Sequence, residues 1–300
     1  MSWRAWATFA ALGVIWGIPY FLIKVAVAEV QPLLVAWCRL MLATAVLLPV
    51  AWRRGALGSL RGHAAALCAF AIAEFAIPFA AISCGEQWIS SSVTGILIAT
   101  VPLWVVLLAR SFGVHEPLGA RRLIGLALGF IGVVALLGFG TISGPWGWAG
   151  VACMLISALG YAVGPLIIQR HLRNLDAVGP LAASLAIALV LITPPAMRVW
   201  PAHWPSAAAL SSLLVLGILC TAIAMLLMFY LVSHAGASRA SLITYINPAV
   251  ASLLGIGLLE EHLGAGGVAA FGMILAGSWL ASRGAVKRPE PELEGPPAVR

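Results

Sequence analysis

Ten apolar windows recur along this chain, at about residues 6–26, 32–51, 64–84, 90–110, 121–139, 147–169, 178–197, 209–232, 238–259 and 265–283. Each runs to about 20 residues, which as a helix rising about 1.5 Å per residue covers a hydrocarbon core of roughly 30 Å. In lipid every backbone amide and carbonyl has to be satisfied by the protein itself, so the spanning structures reduce to helices or a closed barrel. The windows are continuously apolar rather than alternating, which argues against a barrel and predicts no strands. The composition agrees: 62% of residues are hydrophobic and 9% charged, where soluble domains carry about a quarter charged residues. The expected fold is an all-α integral membrane bundle of about ten transmembrane helices.

The connectors are short and rich in turn formers: Arg53-Arg54-Gly55, Gly113 with Pro117, Gly144-Pro145, Pro201 and Pro205, and Gly264 with Gly266-Gly267. None is long enough to fold as a soluble domain. The segment 285–300, with Glu290, Pro291, Glu292, Glu294, Pro296 and Pro297, reads as a disordered tail. At the N-terminus Arg4, an apolar stretch and Ala26-Val27-Ala28 resemble a signal peptide, but the apolar run from Trp6 to Ile23 is longer than a typical signal core and predicts an uncleaved first span.

Charge gives the orientation. With alternating spans, Arg4, Arg53, Arg54, Arg61, Arg110, Arg121, Arg122, Arg170, Arg173, Arg239, Arg283, Lys287, Arg288 and Arg300 fall on one side, and only Lys24 and Arg198 on the other. The crowded side is expected to be cytoplasmic, with both termini there. The net charge of +7 is spread through these loops and not gathered into a basic surface, so no nucleic-acid partner is expected. The cysteines, Cys38, Cys68, Cys84, Cys153 and Cys220, lie in or beside apolar segments without C-x-x-C spacing. They indicate neither a disulfide framework nor a metal site.

The chain repeats itself at a shift of about 145 residues. Glu116 in His115-Glu116-Pro117-Leu118-Gly119 falls on Glu261 in Glu261-His262-Leu263-Gly264, Gly132 on Gly277 and Trp16 on Tyr161; one residue more puts Pro19 on Pro165 and Pro102 on Pro248. Each half holds an odd number of spans, so the second crosses the membrane in the opposite sense to the first. Two inverted five-helix repeats, 6–139 and 147–284, are the architecture associated with alternating access around a site between the halves.

Trp16-Gly17 in the first span, Arg39 in the second, the fourth span centred on Pro102 and leading to Glu116-Pro117-Leu118-Gly119, and the echo at Asn247-Pro248 leading to Glu261-His262-Leu263-Gly264 resemble the EamA branch of the drug/metabolite transporter superfamily over residues 6–284. The resemblance implies a carrier of small molecules such as amino acids, nucleobases or toxic compounds, usually moving them outward. The motifs are degenerate and do not identify the cargo.

Arg39 and Glu74 are the ionisable residues well inside predicted spans, where a charge costs about 2.5–3.5 kcal/mol unless it faces a cavity or partner. Either Arg39 recognises an acceptor such as a carboxylate on the cargo while Glu74 binds an amine or carries a coupled proton, or the two form a buried ion pair between the second and third helices. The repeat pairs the neighbourhoods of Trp16 and Tyr161, and of Trp104 and Tyr245-Ile246-Asn247, each beside a helix proline. These residues are candidates to line a pocket, against the alternatives of lipid-facing aromatics or, for Asn247, interhelical glue. Pro19, Pro102, Pro165 and Pro248 are the candidate hinges, because proline removes a helix hydrogen bond. Trp3, Trp146, Trp148, Trp200 and Trp204 read as interface anchors, and Gly13 with Gly17 and Gly125 with Gly129 as close-packing pairs.

Catalytic patterns are missing from the sequence. The histidines are scattered, no H-E-x-x-H occurs, and Asp176 is the sole aspartate. With Lys24 and Lys287 the only lysines, there is no phosphate-binding loop, so no nucleotide or other cofactor is expected. The leading expectation is a secondary transporter with the bilayer as its solvent and a small molecule as its cargo. A channel or lipid-flipping protein is the alternative, and a membrane-embedded enzyme a more distant one. Proton coupling is a hypothesis that rests on Glu74; oligomeric state is left open.

Overall fold

The computed structural model describes residues 2–113, 119–138, 144–201, 203–235, 243 and 246–282. Eight helices in it are long and apolar enough to cross a membrane: α1 (Trp3–Val27), α2 (Pro32–Arg53), α3 (Ala64–Gly85), α4 (Ser91–Phe112), α5 (Ala120–Gly138), α6 (Gly147–Leu172), α7 (Val178–Met197) and α8 (Ala207–Leu231). Two shorter apolar helices complete a bundle of ten, α9 (Asn247–Leu258) and α10 (Ala265–Ser282). Among the described residues there is no strand. The charged segment 285–300, the residues 115–118 of the repeated motif and Tyr245 lie outside the described residues.

Local chemistry sets the helix starts. Ser2, Ser90 and Ser206 accept hydrogen bonds from the amides of Ala5, Val93 and Ala209, capping α1, α4 and α8. Pro32 opens α2 in its first turn, where the missing N–H has no intrahelical acceptor. Two helices are interrupted in mid-span: α1 at Trp16-Gly17, ahead of Pro19, and α4 at Ala99-Thr100, ahead of Pro102. Helix α9 begins with Asn247-Pro248. The fourth candidate hinge behaves differently, since α6 runs unbroken through Pro165 and relaxes into a π-helical turn at Ile168–Leu172.

The two halves interlock. α2 packs on α7, α5 on α10 and α4 on α9; α3 packs on α6, and its counterpart α8 on α1. The α5–α10 crossing is made by glycines: a Cβ on Gly277 would land on the backbone of Gly129, and one on Gly125 on the backbone of Ala281. Such contacts bring helix backbones together where lipid provides no hydrophobic drive. Two three-helix groups follow from the same contacts, α3-α4-α6 and its repeat counterpart α8-α9-α1.

Large apolar side chains such as Ile131, Val134, Val190 and Leu253 face outward, as a lipid-solvated surface requires, and Trp3, Trp146, Trp148, Trp200 and Trp204 are all exposed. One face of the bundle carries the described connector residues 28–31, 86–90, 144–146, 198–201, 203–206 and 259–264, and of Lys and Arg only Arg198 stands among them. Described contacts tie this arginine-poor face together: Trp88 stacks on Trp146 at 6.0 Å between ring centres, and the Glu29 carboxylate accepts from the Ser206 amide and hydroxyl at 2.7 and 2.6 Å. Those bonds hold the Glu29 carboxyl below the usual carboxylate range.

Candidate transport site

The apolar interior divides into two large clusters. One is built from the arginine-poor ends of α1, α3, α4, α6 and α8 with residues of α5, α9 and α10; the other from α2, α3, α6, α7 and the middle of α8, along most of the length of α2 and α7. Trp37 and Tyr161 touch both clusters and mark the boundary between them. Arg39 and Thr221 stand at that boundary, next to Cys220 of one cluster and to Leu40 and Ala222 of the other.

Arg39 is 7% exposed. Its Nε donates to Thr221 Oγ1 of α8 at 2.8 Å, and its guanidinium carbon stands 3.8 Å from the centre of the Phe79 ring of α3. Thr221 in turn donates to the carbonyl of Leu216 at 2.8 Å, five residues back. That acceptor is available because Val215–Ile223 is π-helical. The sequence thus holds one edge of a guanidinium and leaves its two terminal nitrogens without a protein partner among the described residues. Desolvated stacking of this kind contributes about 2 kcal/mol and keeps the cation in place without neutralising it.

Around it stand Tyr20 of α1, Tyr161 of α6 and Glu86 of the α3–α4 connector, each within electrostatic reach of Arg39. Among the described residues the two phenol hydroxyls make no protein hydrogen bond. Glu86 is 0% exposed and neither of its carboxylate oxygens has a hydrogen-bond partner. Buried polar groups in proteins are nearly always paired. Several unpaired ones in one place, of opposite charge and none forming an ion pair within 4 Å of another, make an arrangement that a polar solute can complete.

Arg39 and Glu74 do not form the ion pair that was one of the two sequence readings. Glu74 lies in the π-helical stretch Ala71–Ala76 of α3 and faces α6, where a Cβ on Gly164 would collide with its Oε2. That oxygen is buried and has no hydrogen-bond partner. Height along two helices was readable from the sequence; the direction in which each side chain leaves its helix was not, and the π turn rotates Glu74 away from α2.

The remaining candidates separate. Tyr161 joins the Arg39 cluster. Trp16 packs against a separate small cluster of Ala5, Leu12, Ala224, Leu231 and Ile243. Trp104 donates to Thr100 Oγ1 of its own helix at 3.2 Å and meets Phe130 of α5 edge-on, 5.5 Å between ring centres. With its amide nitrogen turned to the acceptors, Asn247 donates to the carbonyls of Ile243 and Gly13 at 3.0 and 3.1 Å, bonding α9 to α1. A recess of about 370 Å³ lined by Glu29, Gln31, Val199, Trp200, Pro201 and His203 opens on the arginine-poor face and shares no residue with the Arg39 cluster.

Sequence reasoning missed Tyr20, Glu86 and Lys24. Glu86 falls between two apolar windows, where a carboxylate reads as solvated; its burial comes from chain that returns from far away in sequence. Lys24 was read as the end of a span, yet it belongs to the helix Ile18–Val27, and its ammonium donates to the carbonyls of Glu86 and Ile89 at 2.5 and 2.8 Å.

The family model for EamA-like transporters matches residues 3–138 and, a second time, residues 148–283. This chain belongs to that family. Among EamA-like relatives, the "Uncharacterized inner membrane transporter YedA" of Escherichia coli is 31% identical over 84% of this chain and 82% of its own length. An "Uncharacterized transporter" of Archaeoglobus fulgidus is 24% identical over 93% of this chain and 99% of its own. One solved crystal structure, 19% identical, superposes with a TM-score of 0.66 over 93% of this chain and 96% of that one, a likeness of fold. The doubled family match follows the two halves across which α2 meets α7 and α5 meets α10, so the Arg39 cluster of this EamA-like protein draws its groups from both.

Proposed function

We propose that the protein is a secondary-active carrier that exports small zwitterionic or carboxylate-bearing metabolites, such as amino acids, by alternating access between inverted repeats at 6–139 and 147–284. The observation that carries this reading is the set of buried, unpartnered polar groups around Arg39, where the two apolar clusters meet. Arg39 donates to the cargo's carboxylate from its two terminal nitrogens, Glu86 faces an ammonium group, and the Tyr20 and Tyr161 hydroxyls fill the remaining directions. A charge left without a partner in the membrane is costly, so binding cargo there satisfies both partners at once.

The breaks at Pro19, Pro102 and Pro248 serve as bending points in this reading. Glu74 supplies a group able to gain and lose a proton between α3 and α6, which couples transport to a proton gradient. The arginine-rich face lies in the cytoplasm of a bacterial inner membrane with both termini, and the segment 285–300 is a cytoplasmic tail. Membership of a family of transporters and the family names of its relatives support transport over enzymatic chemistry.

Counterflow tests the proposal. Proteoliposomes preloaded with a mixture of unlabelled amino acids should accumulate a tritiated amino acid transiently and saturably, and Arg39→Ala should abolish the overshoot. Non-saturable flux with no overshoot would identify a pore instead.

A further inference from the structure

We infer that Glu261 and Lys24 form a two-part latch that holds the arginine-poor end of the seam closed by gripping the α3–α4 connector and the start of α4. The Glu261 carboxylate, from the α9–α10 connector, accepts from the amides of Ser91 and Ser92 at 2.7 and 2.9 Å and from the Ser92 hydroxyl at 2.6 Å. These are amides of the first turn of α4, which have no intrahelical acceptor, and a carboxylate there also meets the positive end of the helix dipole. Lys24, from α1, grips the same segment a few residues earlier through the carbonyls of Glu86 and Ile89. Both bonds run from the α8-α9-α1 group, or the connector that leaves it, to the α3-α4-α6 group. Neither group can move outward at this end until both grips release.

The backbone is shaped for this contact. Glu260, the residue before the latch carboxylate, has φ +54, the described non-glycine residue with positive φ, a conformation that side chains disfavour. It turns the connector back so that the Glu261 amide bonds to the Gly255 carbonyl at 3.1 Å. Gly255 itself leaves the room: a Cβ there would meet the Glu261 carboxylate and the Ser91 and Ser92 hydroxyls. A methyl group at position 255 therefore displaces the latch without changing any charge.

The inference takes its meaning from the carrier reading, but its test needs no substrate. Cys220 is 1% exposed, adjoins Thr221 and lies within electrostatic reach of Arg39. With Cys38, Cys68, Cys84 and Cys153 replaced by alanine, it becomes the single reporter of access to the seam. Its rate of labelling by a membrane-impermeant methanethiosulfonate is measured in vesicles of both orientations. A separate Trp204→Cys variant marks the arginine-poor side.

Glu261→Gln, Gly255→Ala and Lys24→Met should each speed labelling from that side by about fivefold or more, the population shift that loss of one net hydrogen bond produces. Labelling from the opposite side should not rise. Unchanged rates in Gly255→Ala and Lys24→Met would overturn the latch, and so would equal acceleration from both sides, which reports general loosening. Should Glu261→Gln fail to fold, the other two decide. A failed counterflow assay leaves this result readable, and a failed labelling result leaves the carrier reading standing.

Discussion

The two halves of the molecule share a scaffold and differ in chemistry. Their third helices, α3 and α8, both carry π-helical stretches at corresponding places, Ala71–Ala76 and Val215–Ile223. Their second helices both reach across to the opposite half: Arg39 of α2 to Thr221 of α8, and Ser184 of α7, the residue laid on Arg39 by the shift of 145, to the Leu67 carbonyl of α3 at 3.1 Å. Yet the same shift sets Gln169 against Lys24, Leu219 against Glu74 and Leu231 against Glu86. The charged groups around Arg39 thus come from the first half, and the second half adds the Glu261 carboxylate at the arginine-poor end of the seam. The doubling is therefore one of scaffold, and the polar groups around Arg39 are not doubled with it.

The largest effect that would break this comparison lies at Arg39. Arg39→Ala should lower counterflow by about tenfold or more, the range lost with a charge-assisted hydrogen bond, and Arg39→Lys should rescue little, because an ammonium cannot bond Thr221 and keep a planar pair of donors free. Ser184→Arg should not restore transport in Arg39→Ala and should reduce folded yield, since a mid-span charge without a partner costs about 2.5–3.5 kcal/mol. Recovery of transport would show that the halves are chemically interchangeable.

The scaffold should instead be equally sensitive on both sides. Gly132→Val and Gly277→Val, laid on each other by the repeat, each overfill the α5–α10 crossing and should lower Tm in detergent by about 5–10 °C; a large loss in one and none in the other would end the claim of a shared scaffold. A narrower test is Glu74→Gln, which should abolish the response of transport to an imposed pH gradient while leaving counterflow measurable, whereas Leu219→Gln should leave that response intact. The smallest effect concerns the Glu29 cap on α8. Its depressed carboxyl contributes stability above its unfolded value and loses it as pH falls through the lower folded value, so Glu29→Gln should reduce Tm slightly at neutral pH and converge with the parent once pH falls below that lowered value.

Much of this was legible in the sequence because lipid makes hydropathy a strong signal. All ten helices fall on the apolar windows, α1 breaks beside Pro19 and α4 beside Pro102, and the Gly125 and Gly129 spacing marks a real crossing. The site was less legible because residue spacing gives depth and not direction. Arg39 and Glu74 were found by depth but leave their helices towards different neighbours. Trp104, at a similar depth, turns to Phe130 of α5. Glu86 was hidden for another reason: a connector is buried only by what folds over it, and here Lys24, distant along the chain, bonds the Glu86 carbonyl while Glu261 bonds the next residues at Ser91 and Ser92.

The π-helical stretches have a mechanical corollary. A π turn stores one residue more than the α turn it replaces, so α3 and α8 each hold slack within an otherwise taut rod. Passing that surplus residue along α8 would swivel Thr221 out of the reach of Arg39 and bring a different side chain round, without lengthening the helix or breaking its bond ladder for more than one turn. The residue that holds the guanidinium thus sits on the one stretch of α8 whose turn could change register, and such a change would alter what the arginine holds.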